Sequence, residues 1–398
     1  MKRKAVERQI ASVTEKFAEM GLNMGKGRER GKRQMNYELL RIIAMLMVIT
    51  LHYLSHTEML LMPGGEGGSK QILGMLLESF CIVAVNVYVL ISGYFLVEAG
   101  FKVKRVLVLI CQVLFYAVLI PLIMMGTGIF PGKGGDLYRL LQYIFPLETE
   151  HYWFAASYVL LYLFTPLLNT AVKTMNKKQL QIAIGGLLLL FCGIKSIVPV
   201  RFVTDRAGYD FGWFLCVYLV AAYIRLYGWK PVDNGKWGWR LYIICGLLSF
   251  AIGTGAYFIN RGTGLFEYYT EVPYHYNYIL CLLGAVGLFG AFRYVKIPEG
   301  FFAGLIGKLS PLTFGVYLFH EHIDIRNEWT GWIEDFIGPV AEAGVWGFIL
   351  HLMVSVLAIF IAGCFVDGIR LYIFRYVGRH LEKSKPTDWV RRLDEEFR

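Results

Sequence analysis

The sequence predicts an all-α polytopic membrane protein of about ten transmembrane helices with both termini cytoplasmic. Three observations predict it. Of the 398 residues, 56% are hydrophobic and only 18% charged, and mean hydropathy is +0.49. Apolar runs recur at about the 20-residue length that crosses a bilayer as a helix. Lys and Arg, finally, divide unevenly between alternate connections, as expected when basic loops stay in the cytoplasm. A soluble core is excluded by this composition. Cys81, Cys111, Cys192, Cys216, Cys245, Cys281 and Cys364 are scattered through apolar segments without CxxC spacing, which suggests neither a disulfide framework nor a zinc site.

In chain order, residues 1–34 form a basic tail with ten Lys and Arg, expected to be poorly ordered and to hold the terminus inside. No nucleic-acid partner is implied, because charge of this kind beside a first span serves topology. No cleavable signal is visible, since the first apolar run is too long for one, and the compact start at Met35 leaves open whether the first 34 residues are native. Spans follow at 36–53, 72–97, 106–125, 153–171, 180–200, 211–227, 241–259, 278–294, 309–325 and 345–365. The membrane domain is therefore 35–376, followed by a charged cytoplasmic tail, 377–398. With the amino terminus inside, the four inner loops carry thirteen Lys and Arg and the five outer loops seven: Lys70, Lys133, Arg139, Arg201, Arg206, Arg261 and Arg326. The ninth span is short, and His320, Glu321, His322 and Asp324 crowd its outer half. That end must face protein or water.

The first span carries the chemistry. Glu38 and Arg41 stand near one end and His52 near the other. Arg41 and His52 are eleven residues apart, so they differ by about 20° around a helix axis and by roughly 16 Å along it. Both face one partner or cavity, and ionisable groups inside a membrane point to function. Each alone also fits a plainer role, a snorkelling Arg or a satisfied interfacial His. On this topology His52, His56, His151, His275, His320 and His322 all lie at outer helix ends, and only His380 is clearly inside. No HxxH or HExxH spacing supports a metal, and none is expected. An outward-facing, proton-handling cavity suits the pattern better.

Four stretches make the chain recognisable. Glu38-Leu39-Leu40-Arg41 followed by His52 resembles the first-helix signature of the acyltransferase 3 family, integral-membrane O-acyltransferases. Asn86-Val87-Tyr88-Val89-Leu90-Ile91-Ser92-Gly93-Tyr94-Phe95 is similar to the family's Ser-Gly segment, and Lys102, Lys104 and Arg105 to the basic cluster after it. His151-Tyr152-Trp153-Phe154, with Pro166-Leu167-Leu168, resembles a middle helix, and Thr313-Phe314-Gly315-Val316-Tyr317-Leu318-Phe319-His320 a late one. The resemblance covers roughly 36–374 and lacks the soluble esterase-like domain of some members.

It implies transfer of an acyl group, usually acetyl, from cytoplasmic acyl-CoA to a hydroxyl of an envelope glycan, in a bacterial-type plasma membrane. A sugar hydroxyl needs a base titrating near neutrality, and histidine does. His52 is therefore the expected base, with Arg41, Lys104 and Arg105 on the donor's phosphates and Glu38 orienting Arg41. Asn86 and Ser92 could donate to the thioester, and His151, Trp153, Tyr317, His320, Glu321 and Arg326 could serve the acceptor. Acetyl-CoA is expected as substrate, with a glycan and the bilayer as the other partners; the acceptor's identity, the acyl chain and the oligomeric state are not legible. A secondary transporter or exporter is the alternative, and it predicts inverted repeats and broken midplane helices. No convincing repeat between the halves is visible.

Overall fold

The computed structural model describes residues 33–61, 67–128, 136–149, 151–381 and 385–397. Most of the basic tail, Lys133 and most of the Gly-rich loop after Leu61 lie outside the described residues. Among the described residues the chain is helical, with no strand. In order the α-helices are α1 (Met35–His56), α2 (Ser69–Cys81), α3 (Ala84–Leu96), α4 (Val103–Thr127), α5 (Leu137–Ile144), α6 (Trp153–Thr174), α7 (Lys177–Leu188), α8 (Ile194–Ile197) and α9 (Phe211–Tyr227). Then follow α10 (Gly235–Thr263), α11 (Tyr268–Glu271), α12 (Ile279–Arg293), α13 (Phe301–Leu309), α14 (Thr313–His320), α15 (Trp329–Ile337), α16 (Val345–Leu381) and α17 (Lys385–Glu396).

Nine continuous or near-continuous helical segments among the described residues are long and apolar enough to cross a membrane, and α9 is an apolar helix of 17 residues. These ten coincide with the ten predicted spans, so the chain is an all-α polytopic membrane protein. The differences lie within spans. The second is broken at Ile82 and Val83 into α2 and α3. The fifth changes from α7 through a π-turn at Leu189–Gly193 into α8. The ninth was expected at 309–325 but runs Phe301–His320. Pro311, which lacks the N–H that would continue the ladder, sits in a 3-10 turn at Ser310–Leu312 between α13 and α14.

Helix α1 is the hub, packing against α2, α3, α12, α13, α14 and α16. Close approaches are made by small residues, as is usual where the bilayer offers no hydrophobic drive between helices. A Cβ on Gly238 of α10 would lie 2.5 Å from the backbone of α12. Helices α14 and α16 meet at Gly315, where a Cβ would lie 2.0 Å from Oδ1 of Asp367. That glycine admits a buried polar knot: Asp367 accepts from Arg370 at 2.9 and 2.7 Å, from the Tyr116 hydroxyl at 2.9 Å and from Gln112 at 3.2 Å. Ionic groups inside a membrane are tolerated only when matched in this way. The knot ties α4 to α16, with Gly315 of α14 packed against it, beside the cavity described next.

Candidate active site

A cavity of about 360 Å³ runs along one face of α1. Arg41, Met45, Val48 and His52 line it, as residues spaced three or four apart on one helical face must. Arg41 and His52 therefore share the cavity that their spacing predicted. Opposite them stand Ser92 from α3, Arg105 and Gln112 from α4, Trp153 and Phe154 from α6, and Tyr317 from α14.

At the Arg41 end, Glu38 is a clamp. Its Oε1 accepts from Arg41 Nη1 at 2.8 Å, and its Oε2 accepts from the Ser310 hydroxyl. The Tyr88 hydroxyl donates to the carbonyl of Arg41 at 2.6 Å. Arg105 lies with its guanidinium 5.2 Å from the centre of the Tyr162 ring, a cation–π contact. Two cations thus mark one end of the cavity.

At the other end, three side chains meet that are distant in sequence. His320 Nδ1 lies 2.6 Å from the Val316 carbonyl, which can only accept, so Nδ1 carries the proton. Its Nε2 is then an acceptor, and it lies 2.9 Å from His52 Nδ1. His52 Nδ1 must therefore donate, and the Nε2 of a neutral His52 is bare. Glu321 Oε1 lies 3.0 Å from the same Nδ1 at ion-pair distance. The N–H is directed at His320, so this oxygen forms no hydrogen bond of its own. In its ionised form the Glu321 carboxylate beside Nδ1 would favour a positive charge on the ring, which burial of both groups opposes. The arrangement can take a proton at Nε2 and hold the resulting imidazolium, the logic by which a base is oriented and stabilised by its partners.

His52, His320 and Glu321 also present three ligand atoms within 4.8 Å of one another. A cation bound at Nδ1 of a neutral His52 would leave its proton on Nε2. The same atoms thus serve either a cation or a base at His52, not both.

The remaining predicted residues divide. Ser92, Arg105, Trp153 and Tyr317 line the cavity. Lys104 does not: its side chain is exposed and its backbone N–H donates at 3.3 Å to Asp394 of α17, which packs on α4. Asn86 is fully buried away from the cavity, donating to the Tyr276 carbonyl at 2.7 Å and accepting from the Trp213 indole at 2.8 Å. It joins helices. His151 is buried, with Nδ1 at 3.0 Å from the Gln142 carbonyl and Nε2 accepting from Ile323 N–H at 3.3 Å. Burial, aided by His322 and Arg326, pushes it down to about 3, so it is neutral and structural in its contacts. His320 and Glu321 stand behind His52 rather than on the cavity wall, and Arg326 is half-buried nearby in the turn after them. His322 turns away, its Nδ1 toward Asp324, which also holds Tyr143 and Arg139.

Sequence reasoning missed Gln112, Tyr158 and Tyr276 as lining residues and named Tyr88 and Phe154 only as parts of segments. Only Phe154 and Tyr88 had a signal, as neighbours of residues already singled out.

The fold defines a polytopic membrane protein whose central first helix lines an internal cavity with Arg41 and His52. The chain belongs to the acyltransferase 3 family of membrane acyltransferases: the family's model, described as an acyltransferase domain, matches residues 36–367. That interval covers most of the chain and every helix lining the cavity. No curated protein and no solved structure matches the chain.

Proposed function

We propose that this acyltransferase moves an acyl group, acetyl in the simplest case, from cytoplasmic acyl-CoA to a hydroxyl of an extracytoplasmic or lipid-linked glycan, at a bacterial-type plasma membrane. One observation carries the reading. A single cavity is lined by two cations at one end and by His52 at the other, the latter with Nδ1 engaged and Nε2 bare. Arg41 and Arg105 suit phosphate, which guanidinium binds through charge-assisted hydrogen bonds. The roughly 16 Å of helix between Arg41 and His52 is a length that a pantetheine arm can cover. Ser92 and Trp153 are wall residues for the donor arm and the acceptor.

The transfer balances without a further reactant. His52 Nε2 removes the proton of the acceptor hydroxyl as its oxygen bonds to the thioester carbon. The C–S bond then breaks, and the thiolate takes the proton from the imidazolium. The His320 and Glu321 side chains hold that ring and its transient charge, and Glu38 holds Arg41.

Calorimetry tests the donor half. Acetyl-CoA should bind the purified, lipid-supplemented protein with an affinity that falls as salt rises. Arg41→Ala should weaken it more than Arg41→Lys, which keeps the charge but loses the fork. A secondary transporter of a glycan has no reason to recognise a nucleotide thioester, so absence of binding to folded wild-type protein would overturn the reading in favour of that class.

A further inference from the structure

Three donor atoms from parts of the chain far apart in sequence converge at the outer end of the cavity. His52 Nδ1 of α1 lies 2.9 Å from Nε2 of His320, at the end of α14, and 3.0 Å from Oε1 of Glu321, in the turn that follows. All three atoms lie within 4.8 Å of one another. Zinc holds imidazole nitrogen and carboxylate oxygen at about 2.0–2.2 Å, so ligand atoms on one tetrahedral ion stand roughly 3–3.5 Å apart. The two short separations fit such an ion after opening by roughly half an ångström or less.

Two further features suit these atoms to a metal. His320 Nδ1 donates to the Val316 carbonyl at 2.6 Å, the backing by which a metal-binding imidazole is held in one tautomer with its other nitrogen bare. Glu321 Oε1 is buried and has no hydrogen-bond partner among the described residues, a state that costs free energy unless something else meets that oxygen. A cation between the three atoms meets it and both nitrogens at once. The atoms face one another rather than the cavity, so the ion arrives by way of His52, which lines the cavity and whose side chain is 22% exposed. The donor set also selects the metal. Two imidazoles and a carboxylate are a set that Zn²⁺ takes while keeping a fourth position open, whereas Mg²⁺ and Ca²⁺ prefer oxygen throughout.

We infer that His52, His320 and Glu321 form an exchangeable zinc site, and that zinc held there switches the transferase off. The second half rests on the acyl-transfer reading, in which His52 Nε2 is the base. A neutral His52 carries one proton. With Zn²⁺ on Nδ1 that proton sits on Nε2, whose lone pair is then taken, and the ring can draw no proton from a hydroxyl. Nothing is oxidised or reduced, and withdrawal of the ion returns the proton to Nδ1 and frees the base.

Equilibrium dialysis of the full chain in lipid vesicles against Zn²⁺, followed by elemental analysis, tests the site. Wild type should retain one ion per chain more than His320→Gln or Glu321→Gln, and His380→Gln, which alters an exposed histidine of α16, should match wild type. Excess Mg²⁺ should displace nothing. Co²⁺ gives a readout that needs no variant: the wild-type protein should show the intense visible absorption of a four-coordinate ion, abolished by Zn²⁺. No ion retained by wild type, equal retention by all four proteins, or only the weak absorption of six-coordinate Co²⁺ would overturn the site and leave the transfer reading intact. Transfer of radiolabelled acetyl from acetyl-CoA to an envelope-glycan fraction tests the switch. Zn²⁺ at ten times its dissociation constant should lower the rate about tenfold, and a chelator should restore it. A filled site with transfer unchanged would overturn His52 as the base and leave the site standing.

Discussion

Glu321→Gln removes a charge while keeping the side chain's shape, and so isolates what the carboxylate does for His52. Its Oε1 lies 3.0 Å from Nδ1, and the ring's N–H is already directed to His320. The loss is therefore electrostatic rather than a lost hydrogen bond. Coulomb's law at an effective dielectric near 20 gives roughly 5 kcal/mol between unit charges at that distance. Solvent reaching the partly open cavity reduces this, and about a third of it still amounts to more than tenfold in rate. The imidazolium exists only during transfer, so the change should fall on kcat, by between tenfold and a thousandfold, with acetyl-CoA affinity unaltered. In a His52→Gln background the second substitution should cost nothing further, since both act on one charge. Thiol release from acetyl-CoA with an envelope-glycan fraction measures all three variants. A Glu321→Gln enzyme within twofold of wild type, or losses that add in the double variant, would refute the proposed partnership.

Two further outcomes test the scaffold. Gly315→Ala places a Cβ 2.0 Å from Asp367 Oδ1, which must break the knot with Arg370, Tyr116 and Gln112. Uncompensating a buried charge costs about 3–5 kcal/mol, so thermal denaturation in detergent should show a markedly lower midpoint, and an unchanged one would deny the knot its role in holding α4 to α16. Burial first, with His322 and Arg326 beside it, pushes the His151 imidazole down to about 3, against 6.5 for the free side chain. The unfolded chain therefore takes up the proton first. Its contribution to stability is complete above 6.5 and is lost at about 1.4 kcal/mol per pH unit as pH falls toward 3. His151→Gln, which keeps a donor and an acceptor, should flatten that acid slope in pH-resolved melting; an identical slope would contradict the assignment.

The ten spans were legible because hydropathy is a local property, and α9 shows the method's edge: at 17 residues it is apolar enough but short. The breaks at Ile82 and at Ser310–Leu312 were not read, although Pro311 supplied a cue for the second. Arg41 and His52 were placed on one face correctly because helical phase needs only the sequence. What stands behind His52 was not legible in that way, since His320 is 268 residues away and only folding brings α14 against α1. For the same reason the crowding of His320, Glu321, His322 and Asp324 at one span end did not show that His320 and Glu321 both reach His52, the second from the turn that ends α14. Lys104 and Asn86 do not line the cavity, for a simpler cause: proximity along a helix to a lining residue says nothing about phase. Arg105 and Ser92 face the cavity, while Lys104 meets α17 and Asn86 meets Trp213. Gly315 was seen only as part of a motif, because the carboxylate that needs its missing side chain lies in α16.

The central claim is that His52 draws a proton from a glycan hydroxyl so that the acyl group can move to it. Mass spectrometry of envelope glycans from cells producing the wild-type protein or His52→Gln, with equal amounts of each in the membrane, tests it most directly. Glycan species heavier by one acetyl group should be present with the wild type and absent with the variant. Identical glycan masses in the two strains, with or without acetylation, would contradict the account.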